Sequence, residues 1–268
     1  GGIITGMYTG GTLNAAALQA IFRINSETFI LINSYDIIIS FLYLIFLVAV
    51  GYKIFRRLYG ERGTKVLTDS EKEELDRQLA EAKRNPYAGL WSRDGMRELG
   101  KIVGFTAIVV GLSAASTLPF RDEWFMVIFI LVLSTLGVVA SFLKPVQRLG
   151  RSFDIGMYLI YIFSIAMASM ADFSDLKLAD GLNQIMFLTI TVFGSLALHA
   201  LLCRLMRVDA DSMTVSSVSF INSPPFVPMM VAVLKNKSTL IVGLGAGIVG
   251  YALGNHFGVL MASLLERL

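Results

Sequence analysis

Apolar residues run through this chain in long unbroken stretches, without the alternation of a half-buried strand or the one-sided spacing of a surface helix. Six stretches, Phe29–Tyr52, Ile102–Leu118, Trp124–Phe142, Ile155–Ala171, Leu182–Cys203 and Thr239–Leu265, reach the length of a membrane-crossing helix, which is about 20 residues with ~17–25 observed. Two further apolar stretches, about Gly1–Phe22 and Val208–Leu234, carry helix breakers at their centres. In the first the breaker is Gly10-Gly11, within Tyr8-Thr9-Gly10-Gly11-Thr12-Leu13-Asn14. In the second it is Asn222-Ser223-Pro224-Pro225-Phe226-Val227-Pro228. Proline lacks the N–H and its ring clashes with the preceding turn, so the second stretch cannot be one continuous helix; the first has glycines in the same place. The pattern predicts an all-α polytopic membrane protein with two broken or re-entrant segments.

In lipid, backbone groups freed by such a break must be buried in protein or reached by water. A broken segment at membrane depth therefore points to a transporter's binding site, and two of them predict an internal repeat. If Val208–Leu234 turns back as a hairpin, the repeat holds five spans and one hairpin, and the odd count makes the two repeats inverted. If it crosses instead, the repeats are parallel. The hairpin is the reading adopted.

Composition agrees with the pattern. Of 268 residues, 55% are hydrophobic and 16% charged, with mean hydropathy +0.67, against about 25% charged in a soluble domain. The single cysteine, Cys203, excludes an intrachain disulfide framework. Charge then orients the chain. The connection from Lys53 to Lys101 holds twelve Lys/Arg and nine acids, and basic residues, not net charge, mark the cytoplasmic side. Alternation puts Phe120–Glu123 outside, Lys144–Arg151 inside, Asp172–Asp180 outside, and Arg204 and Arg207 inside; a hairpin returns Lys235 and Lys237 to the inside. The expected location is a cell inner membrane or plasma membrane, with 53–101 cytoplasmic.

Three units follow: 1–52 as the tail of a first repeat, 53–101 as a linker, and 102–268 as the second repeat. Within the linker, Thr68-Asp69-Ser70-Glu71 and Ser70-Glu71-Lys72-Glu73 read as capping boxes. They open a helix striped by Leu75, Leu79 and Ala82 and ended by Asn85-Pro86. A second amphipathic run carries Leu90, Trp91, Met96 and Leu99. Nothing in the linker has the spacing of a zinc site, a phosphate loop or a nucleic-acid patch.

Asp36 is the one carboxylate well inside an apolar span. With Asn33, Ser40 and Tyr43 it forms a polar stripe at helical spacing. An intramembrane carboxylate is expected to face a cavity and serve as a cation or proton site; the alternative is a buried Asp that joins helices by hydrogen bonds. Asn14 and Gln19, after the Gly10-Gly11 break, can offer amide oxygens to an ion or merely satisfy freed backbone. His199 extends a line from Gln184 through Thr191 and Ser195, and is read as a core or snorkelling residue. Asn255-His256 is placed to meet the Asn222 break. Asp154, Tyr158 and Tyr161 share one helix face. Gly243, Gly247, Gly250, Gly254 and Gly258 recur at three- and four-residue spacing, which allows close approach of a second helix within the bundle. The ion or substrate candidates are thus Gly10, Gly11, Asn14, Asp36, Asn222 and Ser223. No catalytic group, metal site or organic cofactor is expected, and sodium or protons are the coupling ions foreseen.

Gly10-Gly11-Thr12-Leu13-Asn14, Ser152–Leu159 with Met170–Ser174, and Gly243–Gly258 resemble segments of the YjcL-like integral membrane proteins of unknown function. The resemblance implies an inverted-repeat fold related to sodium:glutamate and bile-acid-type symporters. It also implies four further helices before the first break, supplied by a longer chain or by a companion chain. Where the family has Gly-Gly-Pro followed by Thr, this chain has Asn222-Ser223-Pro224-Pro225-Phe226-Val227. Loss of those glycines predicts a damaged half-site, closed by Phe226 packed into the crossing region. Two functions are therefore carried forward. One is a cation-coupled secondary transporter of a small solute; the other is a non-transporting membrane subunit that keeps the transporter fold. Partners expected are the lipid bilayer and a second copy or companion membrane chain, with no nucleic acid and no enzymatic activity.

Overall fold

The computed structural model describes residues 1–60, 73, 85, 87–169 and 181–267, and every regular element among them is helical. The elements are α1 (Gly2–Phe22), α2 (Ser26–Tyr59, loosened by a π-turn at Leu47–Gly51), α3 (Arg93–Ala115), α4 (Phe125–Ser141), α5 (Ser152–Ser169), α6 (Leu182–Leu205), α7 (Ala210–Ile221), α8 (Val227–Leu234) and α9 (Thr239–Leu265). Five helices are long and apolar enough to cross a membrane: α2, α3, the Asp122–Ser141 stretch containing α4, α6 and α9. Several starts are capped as the local sequence directs. The Asn25 side chain accepts from the Glu27 N–H, Ser92 from Gly95, and Asp209 from Ser212.

The spans are longer at the linker than their apolar cores suggest. Residues 53–59 continue α2 and 93–101 begin α3. The second amphipathic run is therefore partly the first turns of a span, with Trp91 just ahead of it and exposed. The expected capping boxes at 68–73, the stripe at 75–82 and the acidic loop 172–180 lie outside the described residues, except for position 73.

Both broken stretches fold back on themselves. In α1 the helical path fails at Gly10 (φ −129, ψ 15) and Gly11 (φ 72, ψ −178). A Cβ at Gly6 would lie 2.1 Å from Leu18, and one at Gly2 would lie 3.0 Å from the Phe22 ring. In a straight helix those pairs would be ~18 Å and ~30 Å apart, so the two arms of α1 lie side by side. The α7–α8 stretch does the same. Asn236, past its end, donates to the Asp211 carboxylate near its start at 2.8 Å. A Cβ at Gly243 would meet both Val215 and Val227.

The two hairpins share one backbone recipe. Asn222 (φ −100, ψ −3) and Ser223 (φ 80, ψ 155) repeat the angles of Gly10 and Gly11. Twelve residues later each return arm ends in a left-handed cap, at Arg23 (φ 52) and Lys235 (φ 54). The capping bonds match as well: Arg23 and Lys235 donate to Ala20 and Ala232, and Ile24 and Asn236 to Gln19 and Val231.

Helix α9 is the spine on which both hairpins rest. Its glycines allow backbone-to-backbone contact: Cβ atoms at Gly2, Gly10 and Gly250 would fall 2.7, 2.9 and 1.9 Å from the carbonyl oxygens of Gly258, Gly250 and Thr9. The α1 base thus sits at Gly258 and its turn at Gly250. At the other end, Gly243 meets Val215 and Val227, and Gly247 meets Ser219 and Pro224. The second hairpin therefore has the middle of its outgoing arm at Gly243 and its turn at Gly247, and its base lies toward the start of α9. The hairpins approach from opposite ends of α9 and their tips meet at its middle. Around this centre, α2 packs on α6 through Tyr43 and Phe46 against Phe193, while the described apolar side chains of α3, α4 and α5 are exposed or half-buried.

Candidate functional site

Where the tips meet, α2 and α5 complete a cavity of about 500 Å3. Gly11, Thr12 and Leu13 come from the first tip and Asn222, Ser223, Pro225 and Phe226 from the second. Asp36 and Ser40 come from α2, Tyr161 and Ser164 from α5, and Tyr251 from α9. A smaller cavity of about 260 Å3 lies among the outgoing arms and α6, with Thr5, Tyr8, Thr191, Ser195 and His199 in its wall.

Asp36 stands between the two. Its Oδ1 accepts from the Tyr8 hydroxyl at 2.7 Å and from Ser40, one turn along α2, at 2.9 Å. Asp36 is 8% exposed. Two donors and no acceptor among its described partners suit an ionised carboxylate. Tyr8 lines the smaller cavity and Asp36 the larger, so their hydrogen bond joins the wall of one to the wall of the other. The whole stripe faces inward: Asn33, Asp36, Ser40 and Tyr43 are all buried, and the Tyr43 hydroxyl reaches Ser217 at 2.5 Å.

Of the six residues singled out, Gly11, Asp36, Asn222 and Ser223 line the larger cavity. Gly10 instead lies against the Gly250 carbonyl. Asn14 donates to the Tyr251 carbonyl at 3.1 Å, and Gln19 donates to the Ile24 carbonyl and Ser26; both amides satisfy local groups. Asn222 donates to the Ser40 carbonyl at 2.9 Å, leaving its Oδ1 buried without a partner among the described residues. The second tip is thereby tied to the turn of α2 that carries Asp36.

Two expectations are corrected. Phe226 does not plug the second tip: it is 42% exposed, and a cavity opens beside it. The physical reason is Ser223, which takes the positive φ assumed to need glycine, so the second turn keeps the shape of the first and holds Phe226 off the crossing. Positive φ with ψ near 155 is almost confined to glycine, and Ser223 takes it while half-buried, with the first tip at Gly11 beside its hydroxyl. Asn255 and His256 do not reach the Asn222 break either. They turn to α4, where Asn255 donates to Ser134 at 3.0 Å and His256 meets Thr135 at 3.0 Å.

His199, read as a core residue, lies in the smaller cavity's wall with Ser216 at 3.3 Å. Of the Asp154 face, Tyr161 lines the larger cavity and Tyr158 packs edge-on against Tyr87. Tyr8 was overlooked by sequence reasoning. Its one signal was its place two residues before the Gly10-Gly11 break, and nothing in the sequence pairs it with Asp36.

The family described as "Protein of unknown function (DUF819)" matches residues 1–268. A relative, the "Uncharacterized membrane protein YjcL" of Bacillus subtilis (strain 168), is 24% identical over 276 residues, covering 98% of this chain and 67% of its own length. No solved structure matches the chain.

Proposed function

The chain belongs to the DUF819 family of proteins of unknown function, and on that premise we propose that it acts as a secondary transporter of a small solute, built from inverted repeats and coupled to sodium or protons. One observation carries the reading: two hairpins of matching backbone angles reach the middle of α9 from its opposite ends, and a cavity lies between their tips. Because α9 is long and apolar enough to cross the bilayer, opposite ends of it correspond to opposite membrane faces. The hairpins would then be re-entrant, one from each side. The positions of Lys and Arg support this orientation: Arg56 donates to the Leu234 carbonyl beside Lys235 and Lys237, and basic residues mark the inner end.

The mechanism rests on the Tyr8–Asp36 bond as the partition between two cavities. A sodium ion or proton at Asp36 would compete for the carboxylate and weaken its hold on Tyr8. Access would then pass from one cavity to the other, which is transport without covalent chemistry. The alternative of a non-transporting subunit rested on a closed second tip and on the helices expected before the first break; the cavity at the second tip favours transport on the first ground.

A single cysteine at Thr12, in a Cys203→Ser background, tests the reading. Alternating access expects an impermeant maleimide to reach Thr12→Cys from either side of oriented vesicles, with the other side blocked. Labelling from one side only would overturn it.

A further inference from the structure

The wall of the larger cavity has a chemistry more specific than its position. Among the described residues it contains one carboxylate, Asp36, and no Lys, Arg or His. Asp36 Oδ2 has no hydrogen-bond partner among the described residues, and neither has the buried Asn222 Oδ1. Both are acceptors. Four aromatic rings share the wall: Phe41, Tyr161, Phe226 and Tyr251. Phe41 and Phe226 are 61% and 42% exposed, so each keeps uncovered ring surface.

From this arrangement we infer that the solute is an organic cation or zwitterion carrying an alkylated or primary ammonium group, held between Asp36 and the aromatic rings. The inference rests on the transporter reading for its role, but it makes a separate claim about binding. A free carboxylate with no basic neighbour repels anions. A divalent metal ion wants a close shell of several converging oxygens, whereas this wall is mostly apolar and aromatic. An ammonium group suits it: ring faces attract cations whose own surface is partly apolar, and a carboxylate makes the stronger charge-assisted contact. About 500 Å3 lies within the range of small-molecule pockets, ~300–1,000 Å3, and is larger than an ion alone needs. Asn222 Oδ1 would accept from an N–H of a primary ammonium, which separates the two alkylation classes.

The experiment is calorimetric titration of the detergent-purified chain at constant ionic strength with butylammonium chloride, tetramethylammonium chloride, sodium butyrate and sodium chloride. Saturable binding of at least one ammonium probe is expected, with none of butyrate. Asp36→Asn should weaken that binding about 10- to 100-fold, the worth of a charged hydrogen bond, and Tyr161→Ala about 3- to 10-fold. Should Asp36→Asn fail to fold, Phe226→Ala and Tyr161→Ala together decide, because neither side chain holds a hydrogen bond of the fold. Butyrate binding, absence of binding by both ammonium probes, or ammonium binding unchanged in these variants would each overturn the inference. Binding requires no flux. Ammonium binding with one-sided Thr12→Cys labelling would therefore sink transport alone, and two-sided labelling without ammonium binding would sink the solute class alone.

Discussion

At the scale of single residues, the glycines of α9 are not equivalent, and substitution should sort them. Gly250 touches the Thr9 carbonyl so closely that a Cβ would sit 1.9 Å from it, while Gly245 has nothing within 4 Å. Gly250→Ala must push α1 off the spine and should cost ~1–3 kcal/mol or more. Gly245→Ala should be neutral or gain up to ~1 kcal/mol from helix propensity. Thermal unfolding in detergent reads both, and equal melting temperatures would remove the close-contact argument. Ser223 makes the opposite prediction. Its φ of 80 is a strain of order 1–3 kcal/mol, partly offset in glycine by the unfolded chain's greater freedom. Ser223→Gly should raise stability by about 1 kcal/mol and Ser223→Ala should not. A destabilised Ser223→Gly would mean that the hydroxyl, not the backbone, governs this turn. The sequence marked both positions as notable, yet read the second as damage, because the conformation of a serine is decided by its neighbours.

At the scale of elements, each hairpin needs its base held as well as its tip. For the second, Arg56 of α2 makes paired bonds to the Asp211 carboxylate at 2.7 and 2.9 Å and donates to the Leu234 carbonyl at 2.7 Å. Asn236 donates to the same carboxylate. One guanidinium thus joins α2, the start of α7 and the end of α8. Arg56 is 43% exposed in its side chain, so solvent limits the pair to ~1 kcal/mol or less. Arg56→Asp should lower the melting temperature by a few degrees, and the exchanged pair Arg56→Asp with Asp211→Arg should recover part of it. No recovery in the exchanged pair would show that the attraction is not what closes the base. The existence and place of both breaks were legible from Gly10-Gly11 and Pro224-Pro225. Their bases were not, since Arg56 and Asp211 lie far apart in sequence.

At the scale of the whole molecule, the inverted arrangement can be tested at the two matching caps. Arg23 and Lys235 end the return arms, both in left-handed backbone and both exposed. In a Cys203→Ser background, Arg23→Cys should be labelled by an impermeant maleimide only from outside and Lys235→Cys only from inside. Labelling of both from one side would make the repeats parallel and would end the inverted reading. The charges behind this prediction were available from the start, because positive residues are retained on the inner side by the potential and the insertion machinery acting on local sequence.

Hydrophobic length, helix breakers and loop charge are local properties, and the sequence by itself determined what depends on them: an all-α membrane protein, five of its six expected spans, two broken segments, and a buried carboxylate at Asp36. The tertiary structure alone decided which groups face one another. That α1 rests on α9, Gly2 to Gly258 and Gly10 to Gly250, depends on a register between segments more than two hundred residues apart. That Asp36 takes its hydrogen bond from Tyr8, while Asn255 turns away to Ser134, depends on helix rotation within the bundle. In an apolar chain every face of a span is hydrophobic, so no amphipathic stripe records that rotation. Packing sets it, through small residues and a few polar pairs.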